Sequence, residues 1–407
     1  MTGLEIKNKR LFDYLEDAGI DIEAVKEKLI NQKIETPSWG YGDSGTRFKT
    51  FSWPGAARNI YEKIADAAYV HKLTGIAPSI ALHIPWDKTT NWAELVHFAT
   101  EKGISIGAIN PNLFQENQYK LGSLCNPDKK IRERAVEHLK ECCEIMKKTG
   151  SRILSVWLAD GTNYAGQDDL IQRKEYLADG LKKAHGVLPP NSRMLIEYKF
   201  FEPHFYHTDL ADWGMAYVMA SACGPKAQVL VDTGHHAQGT NIPHIVSFLL
   251  SEKKLGGFHF NARKYADDDL IVGSENPFEL FDIFVKIISA GEKGNDISYM
   301  IDQSHNIEPK IEAMIQSIIN CQTSYAKALI VDYNALKSFQ QQGDVLGAHR
   351  VMMNAFEMDV LPLLEEVRTR MNVPLDPIAF YRSDAYAEKI SKERGTSVNG
   401  SGYPTDN

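Results

Sequence analysis

Eight short runs of β character, each followed by a longer helical stretch, constrain this 407-residue chain more than any other feature. The runs lie near Ser38–Gly42, Ser79–His83, Ser105–Ile109, Ile153–Trp157, Met194–Glu197, Val229–Asp232, Gly257–Asn261 and Ser298–Asp302. Unbroken apolar runs such as Val229-Leu230-Val231 read as strands buried on both faces. The stretches between carry apolar residues at helical spacing: Ile60, Ile64, Ala67 and Ala68 share one face, as do Ile131, Ala135, Leu139, Cys142, Cys143 and Met146. Asn126-Pro127-Asp128 and Asn276-Pro277 read as helix starts, and Gly75, Gly150, Gly186 and Gly291 as helix ends. Eight such alternations predict an α/β chain closed into a (β/α)8 TIM barrel rather than an open doubly wound sheet. No Gly-x-Gly-x-x-Gly or Walker-type loop follows any run, so a nucleotide fold has no support. The expected organisation is an N-terminal helical segment over 1–36, a barrel catalytic domain over 37–330, and a C-terminal helical extension with a flexible tail over 331–407. Pro362 is expected to kink or interrupt the helical pattern of that extension.

The ends of four successive runs carry the chemistry. Run five ends in Glu197-Tyr-Lys199, run six in Asp232-Thr-Gly-His235-His236, run seven holds His259, and run eight ends at Asp302. Side chains delivered from the same ends of consecutive strands converge on the carboxyl face of a parallel barrel. Three carboxylates and one imidazole suit a hard or borderline divalent ion such as Mn²⁺, Mg²⁺ or Co²⁺. A second ion fits among Asp232, His235, Asp267 and Asp269. Blander readings exist for each: Asp232 as a helix cap, His259 as a satisfied core histidine, Glu197–Lys199 as an ion pair, and Asp267-Asp268-Asp269 as a solvated acidic loop. Trp39 in run one, Trp157 at the end of run four, and His83, followed by Trp86 and Asp87, at the end of run two form the other wall. Aromatic faces there suit the apolar face of a sugar, and His83 beside them can move a proton at a ring oxygen. His207, His236 and His305 receive no role.

Charge narrows the partners. A net charge of −8 and a pI near 5.9 leave no electrostatic footprint for nucleic acid. No apolar run reaches 18 residues and the N-terminus lacks an apolar leader core, so neither export nor membrane insertion is expected. The five cysteines are odd in number and lack zinc-type spacing. A cytoplasmic protein with a small polar substrate is the expectation.

The motifs Glu197-Tyr-Lys199-Phe-Phe-Glu-Pro, Val-Asp232-Thr-Gly-His235-His, Phe-His259-Phe-Asn and Met-Ile-Asp302-Gln-Ser-His together resemble the divalent-metal aldose–ketose isomerases. The likeness is to the pseudomonad-type L-rhamnose isomerases, related in architecture to xylose isomerase, and it runs from about Trp39 through Asp302. It implies a homo-oligomer, dimer or tetramer, with two Mn²⁺ ions per subunit, Co²⁺ or Mg²⁺ being alternatives. It implies that Glu197, Asp232, His259 and Asp302 hold a structural ion. His235, Asp267 and Asp269 would hold a catalytic one, with Asp232 bridging. Lys199 would contact the substrate oxygens, with Asp302, Glu197 and His235 beside it. His83 would assist ring opening, Trp39 and Trp157 would line the pocket, and Phe48 would reach a neighbouring subunit's site. The implied reaction is L-rhamnose to L-rhamnulose, with tolerance for aldoses such as D-allose. A keto-sugar epimerase or dehydratase on the same barrel, and a non-catalytic sugar-binding module, are the competing readings.

Overall fold

The computed structural model describes residues 3–43, 51–202, 206–304 and 307–396. Eight parallel strands close into a barrel: β1 (Glu35–Pro37), β2 (Ser79–Ile84), β3 (Ser105–Pro111), β4 (Ile153–Val156), β5 (Arg193–Glu197), β6 (Ala227–Asp232), β7 (Leu255–Phe260) and β8 (Ser298–Ile301). Sequence neighbours pair throughout, and β1 closes on β8 through Glu35 and Met300. The chain is thus the expected (β/α)8 barrel with a helical C-terminal extension.

Strand one differs from expectation. It ends at Pro37, and Ser38–Tyr41 wind into a 3-10 turn. The cause lies in the side chains: the Ser38 hydroxyl donates to Asp87, and the Trp39 indole Nε1 donates to Asp302 across 2.7 Å. Extended backbone here could not aim two successive residues at partners both inside the barrel mouth. The turn packs closely at Gly40, where a Cβ would lie 2.7 Å from Met314 Cε, 3.1 Å from Pro37 Cγ and 3.2 Å from the Gln303 carbonyl.

Alternation along the strands divides the interior. Met194, Ile196, Val229, Val231, Phe258, Phe260 and Ile301 join the large apolar core between barrel and helices. Ala81, Ala108 and Met300 form a small separate cluster on which Trp39 and Ile153 pack. Small residues here leave room under the carboxyl ends of the strands. Glu35 enters from β1, accepting from Ala108 N–H and the Ser79 hydroxyl, each at 3.0 Å. Gly107 is required beside it, because a Cβ would fall 1.3 Å from Glu35 Oε2.

Helices Gly3–Asp17 and Ile22–Ile30 precede the barrel, with Leu11, Leu15, Val25 and Leu29 buried. Gly75 and Gly150 cap helices in left-handed conformation, whereas Gly291 opens a 3-10 turn after a helix already capped by Ala290. Beyond the barrel lie helices Tyr333–Gln342, Val345–Glu357, Leu361–Arg370, Pro377–Ser383 and Tyr386–Arg394. Pro362 marks an interruption rather than a kink: one helix ends at Glu357, and Pro362 stands in the first turn of the next, where its missing N–H costs no bond. Arg394 returns this extension to the barrel by pairing with buried Asp66 at 2.7 Å. No described helix is long and apolar enough to cross a membrane, and all five cysteines are free thiols.

Candidate metal centre

Glu197 ends β5, Asp232 ends β6, His259 lies opposite Asp232 in the β6–β7 register, and Asp302 follows β8 by one residue. Their outward neighbours Ile196, Val231, Phe258, Phe260 and Ile301 sit in the outer core, so alternation turns these four inward. One ligand atom from each lies within 4.8 Å of all the others. His259 Nδ1 stands 3.3 Å from Glu197 Oε2, 3.4 Å from Asp302 Oδ2 and 4.0 Å from Asp232 Oδ2. That nitrogen is buried and makes no hydrogen bond. Ligands bound at about 2.1–2.3 Å sit roughly 3 Å apart when adjacent, which matches this spacing.

The electrostatics agree. Burial raises Asp232 first, and Glu197 and Asp302 raise it further, so that it reaches about 7 against the pull of His235. Glu197 also suffers burial, but His259 and His235 outweigh it and hold its carboxyl at about 2. Three carboxylates facing one another in a dry pocket are costly without a cation. The donor set therefore fits a hard or borderline divalent ion. The helix-cap reading of Asp232 fails, since its Oδ1 accepts from Gly234 N–H at 2.6 Å and the next helix is capped by Asn241. Against a satisfied core histidine stands the His259 Nδ1 itself, which faces three carboxylates and makes no well-aligned hydrogen bond to any of them.

His235, Asp267 and Asp269 stand beside this group, and the first two meet. In the Asp-Thr-Gly-His turn, a Cβ on Gly234 would lie 2.5 Å from Asn261 Oδ1, so only glycine lets the turn close. His235 Nδ1 lies 3.1 Å from the Tyr198 carbonyl, a pairing that puts a proton on Nδ1 and turns Nε2 toward the carboxylates. Nε2 faces Asp267 Oδ1 at 3.0 Å and Asp232 Oδ2 at 3.9 Å. Asp269 sits apart, 3.4 Å from Asn261 Nδ2 and 3.5 Å from the Ser304 hydroxyl. Asp267 and Asp269 both adopt left-handed backbone, at φ 52 and 49. Neither belongs to a simply solvated loop, since burial pushes Asp269 well up, and Lys199 and His235 overcome burial to hold Asp267 down.

The remaining expected residues surround the opening. Lys199 is buried and pairs with Glu202 at 2.8 Å and with Asp267, not with Glu197. Its ammonium lies 5.3 Å above the Trp157 ring. Trp157 meets Phe114 edge-on at 4.5 Å and faces His235 at 6.3 Å. Trp39 is more than a wall, because its indole N–H orients Asp302. His83 packs against Trp86 at 4.6 Å and Trp39 at 5.4 Å. Burial takes its imidazole down to about 3, so it is neutral at ordinary pH. Phe48 and His305 lie outside the described residues. Three residues gain supporting roles that the sequence did not assign them. Asn261 donates to both Asp232 oxygens at 3.1 and 3.3 Å, His236 Nε2 meets the Tyr198 hydroxyl at 2.6 Å, and Asp87 joins Ser38, Lys63 and the His83 backbone. Each stands beside a residue the motifs singled out: Asn261 in Phe-His259-Phe-Asn261, His236 after His235, and Asp87 four residues after His83.

A parallel barrel whose strand ends gather three carboxylates and a histidine defines a class of metal-site barrels. Within that class, residues 66–286 match the family model described as xylose isomerase-like TIM barrel. A Rhizobium meliloti protein named "Probable sugar isomerase" is 42% identical over 400 residues, covering 96% of this chain and 93% of its own. An L-rhamnose isomerase of Bacteroides thetaiotaomicron is 22% identical over 358 residues, covering 80% and 83%. Among solved structures, an L-ribulose 3-epimerase superposes with a TM-score of 0.51 at 13% identity, over 74% of this chain and 98% of that one. The chain belongs to the xylose isomerase-like TIM-barrel family.

Proposed function

We propose that the protein is a divalent-metal-dependent aldose–ketose isomerase, with L-rhamnose to L-rhamnulose as its leading reaction and aldoses such as D-allose also accepted. The observation that carries this reading is the cluster of Glu197, Asp232, His259 and Asp302 with the His235–Asp267 pair and buried Lys199 on its flank. The names of the Rhizobium and Bacteroides relatives support the same chemistry. Interconversion moves hydrogen between C2 and C1 while a proton passes from O2 to O1. Glu197, Asp232, His259 and Asp302 would hold one ion, and His235, Asp267 and Asp269 with Asp232 a second, Mn²⁺ being the leading candidate. A bound divalent ion supplies polarisation of the carbonyl and stabilisation of developing negative charge on oxygen.

Lys199 adds a fixed positive charge where O1 and O2 would lie, and its two carboxylate partners keep it oriented. Trp157 and Phe114 exclude water from that side, which favours direct hydrogen transfer between carbons over exchange with solvent. His83, neutral and with Nδ1 unpartnered among the described residues, is available to move a proton at the ring oxygen.

Incubation with Mn²⁺ and a panel of aldoses tests the reading through ketose formation. Chelation should abolish turnover, and Mn²⁺ or Co²⁺ should restore it. Full activity in metal-free protein, or epimerised ketoses in place of aldose–ketose exchange, would overturn it. Sugar binding that is equally tight with and without metal, and without turnover, would point to a binding module instead.

A further inference from the structure

A second group of charged residues lies away from the proposed metals, on the loops above the barrel. Arg173, in helix Leu170–His185, is 1% exposed, yet its guanidinium reaches three separate loops. Its Nε and Nη2 grip the Asp209 carboxylate at 3.1 and 2.7 Å, after β5. Nη1 donates to Asp168 at 2.7 Å, after β4, and to the Leu121 carbonyl at 3.2 Å, after β3. Buried Asp160 ties the same loops by accepting from Ser123 N–H, Ser123 Oγ and Cys125 N–H at 2.7–2.8 Å. Cys125, Asp160 and Asp209 come close enough to suggest a metal group, but Arg173 already supplies the positive charge there.

The knot leads directly to Lys199. Asp209 N–H donates to the Asp160 carbonyl at 2.8 Å, fixing the backbone on which Thr208 and Leu210 sit. The Leu210 carbonyl accepts Lys199 N–H at 3.0 Å, and the Thr208 hydroxyl donates to the Lys199 carbonyl. Both backbone polar groups of Lys199 are therefore held by the two residues flanking Asp209. Lys199 follows β5 by two residues, where no barrel hydrogen bond orients it. We infer that Arg173, through its forked pairing with Asp209, is a positioning residue that holds Lys199 over the pocket. A fork is needed because a planar guanidinium fixes the carboxylate in angle as well as distance, which an ammonium does not. The relevance to catalysis rests on the proposed role of Lys199, whereas the positioning itself does not.

Acylation of lysines in the full-length protein, read by mass spectrometry, tests the positioning without reference to activity. Wild-type Lys199 should be protected, as should Lys63, which is 3% exposed and pairs with Asp87 on the far side of the pocket. Arg173→Lys keeps the buried positive charge and so preserves the fold better than Arg173→Gln, which strands Asp209. In Arg173→Lys, Lys199 labelling should rise at least about 10-fold while Lys63 stays protected. Unchanged Lys199 labelling, or equal exposure of both lysines, would overturn the inference. Turnover supplies the second arm: Arg173→Lys should lower kcat in the wild-type background and change it by less than about 2-fold in Lys199→Met. Equal losses in both backgrounds would also overturn it. If Lys199→Met itself keeps full kcat, the proposed role of Lys199 fails separately, and the labelling result still decides the positioning.

Discussion

Asp302 stands one residue beyond its strand, its N–H still donating to the Phe260 carbonyl at 2.8 Å, but that backbone bond does not fix the carboxylate. The Trp39 indole does, at 2.7 Å. Groups that orient metal ligands typically contribute about 10–100-fold to affinity. Trp39→Phe, which keeps the aromatic face but removes the donor, should weaken Mn²⁺ binding by about 10-fold or more in a calorimetric titration. Unaltered affinity would return Trp39 to the role of a wall. His83 offers a pH prediction. Its folded-state value of about 3 lies below the usual value of about 6.5, so the fold disfavours the charged imidazole. The resulting contribution to stability is fully present above about pH 6.5 and is lost as pH falls toward 3. The stability difference between wild type and His83→Gln should therefore shift, over that window, by at most about 1.4 kcal/mol per pH unit. Urea melts at several pH values measure it, and parallel curves for the two proteins would contradict the shift.

Among elements, the turn after β1 and the loop after β2 act as one unit. Asp87 is fully buried and is held by the Ser38 hydroxyl, by His83 N–H at 2.7 Å and by Lys63 at 2.6 Å from helix Ile60–Thr74. Ser38 carries Trp39 and hence Asp302, so this one carboxylate joins the Asp302 side of the pocket to its His83 side. Lys63→Met leaves a buried charge without its counter-ion, a loss that commonly costs about 3–5 kcal/mol. Denaturant unfolding should register a drop of that order, whereas Lys63→Met with Asp87→Asn should recover part of it. Equal stability in the single and double variants would mean that the pair is not coupled.

For the whole molecule, the resemblance to the aldose–ketose isomerases implies a homo-oligomer. Several large apolar side chains are exposed on the segments between strands, among them Phe51, Tyr164 and Tyr265 on loops and Ile171 in the first turn of helix Leu170–His185. Burying each contributes on the order of 1.5–3 kcal/mol, which gives a second copy a reason to cover them. If Phe48 closes a neighbour's pocket, Phe48→Ala should raise KM several-fold with little effect on melting temperature. Mixing those subunits with inactive Asp302→Asn subunits, under conditions shown to exchange them, should recover low KM in part of the sites. A KM unmoved by mixing would remove the shared site.

The barrel and the gathering of Glu197, Asp232, His259 and Asp302 at its strand ends were legible in the sequence because both obey local rules. A buried strand must be apolar, and a polar residue at its end, such as Asp232 or Glu197, is expensive there unless something binds it. Glycine in Asp232-Thr-Gly-His235 marked the turn for the same reason of short range. What the sequence left open depends on residues far apart in the chain. The 3-10 turn at Ser38–Tyr41 exists because Asp87 and Asp302 draw Ser38 and Trp39 out of the extended form. Lys199 chose Glu202 and Asp267 over nearby Glu197 because its backbone, held by Thr208 and Leu210, aims it across the pocket. Composition and periodicity constrain each strand and helix separately, but the direction of a side chain beyond its strand is set by partners that only closure of the barrel brings near.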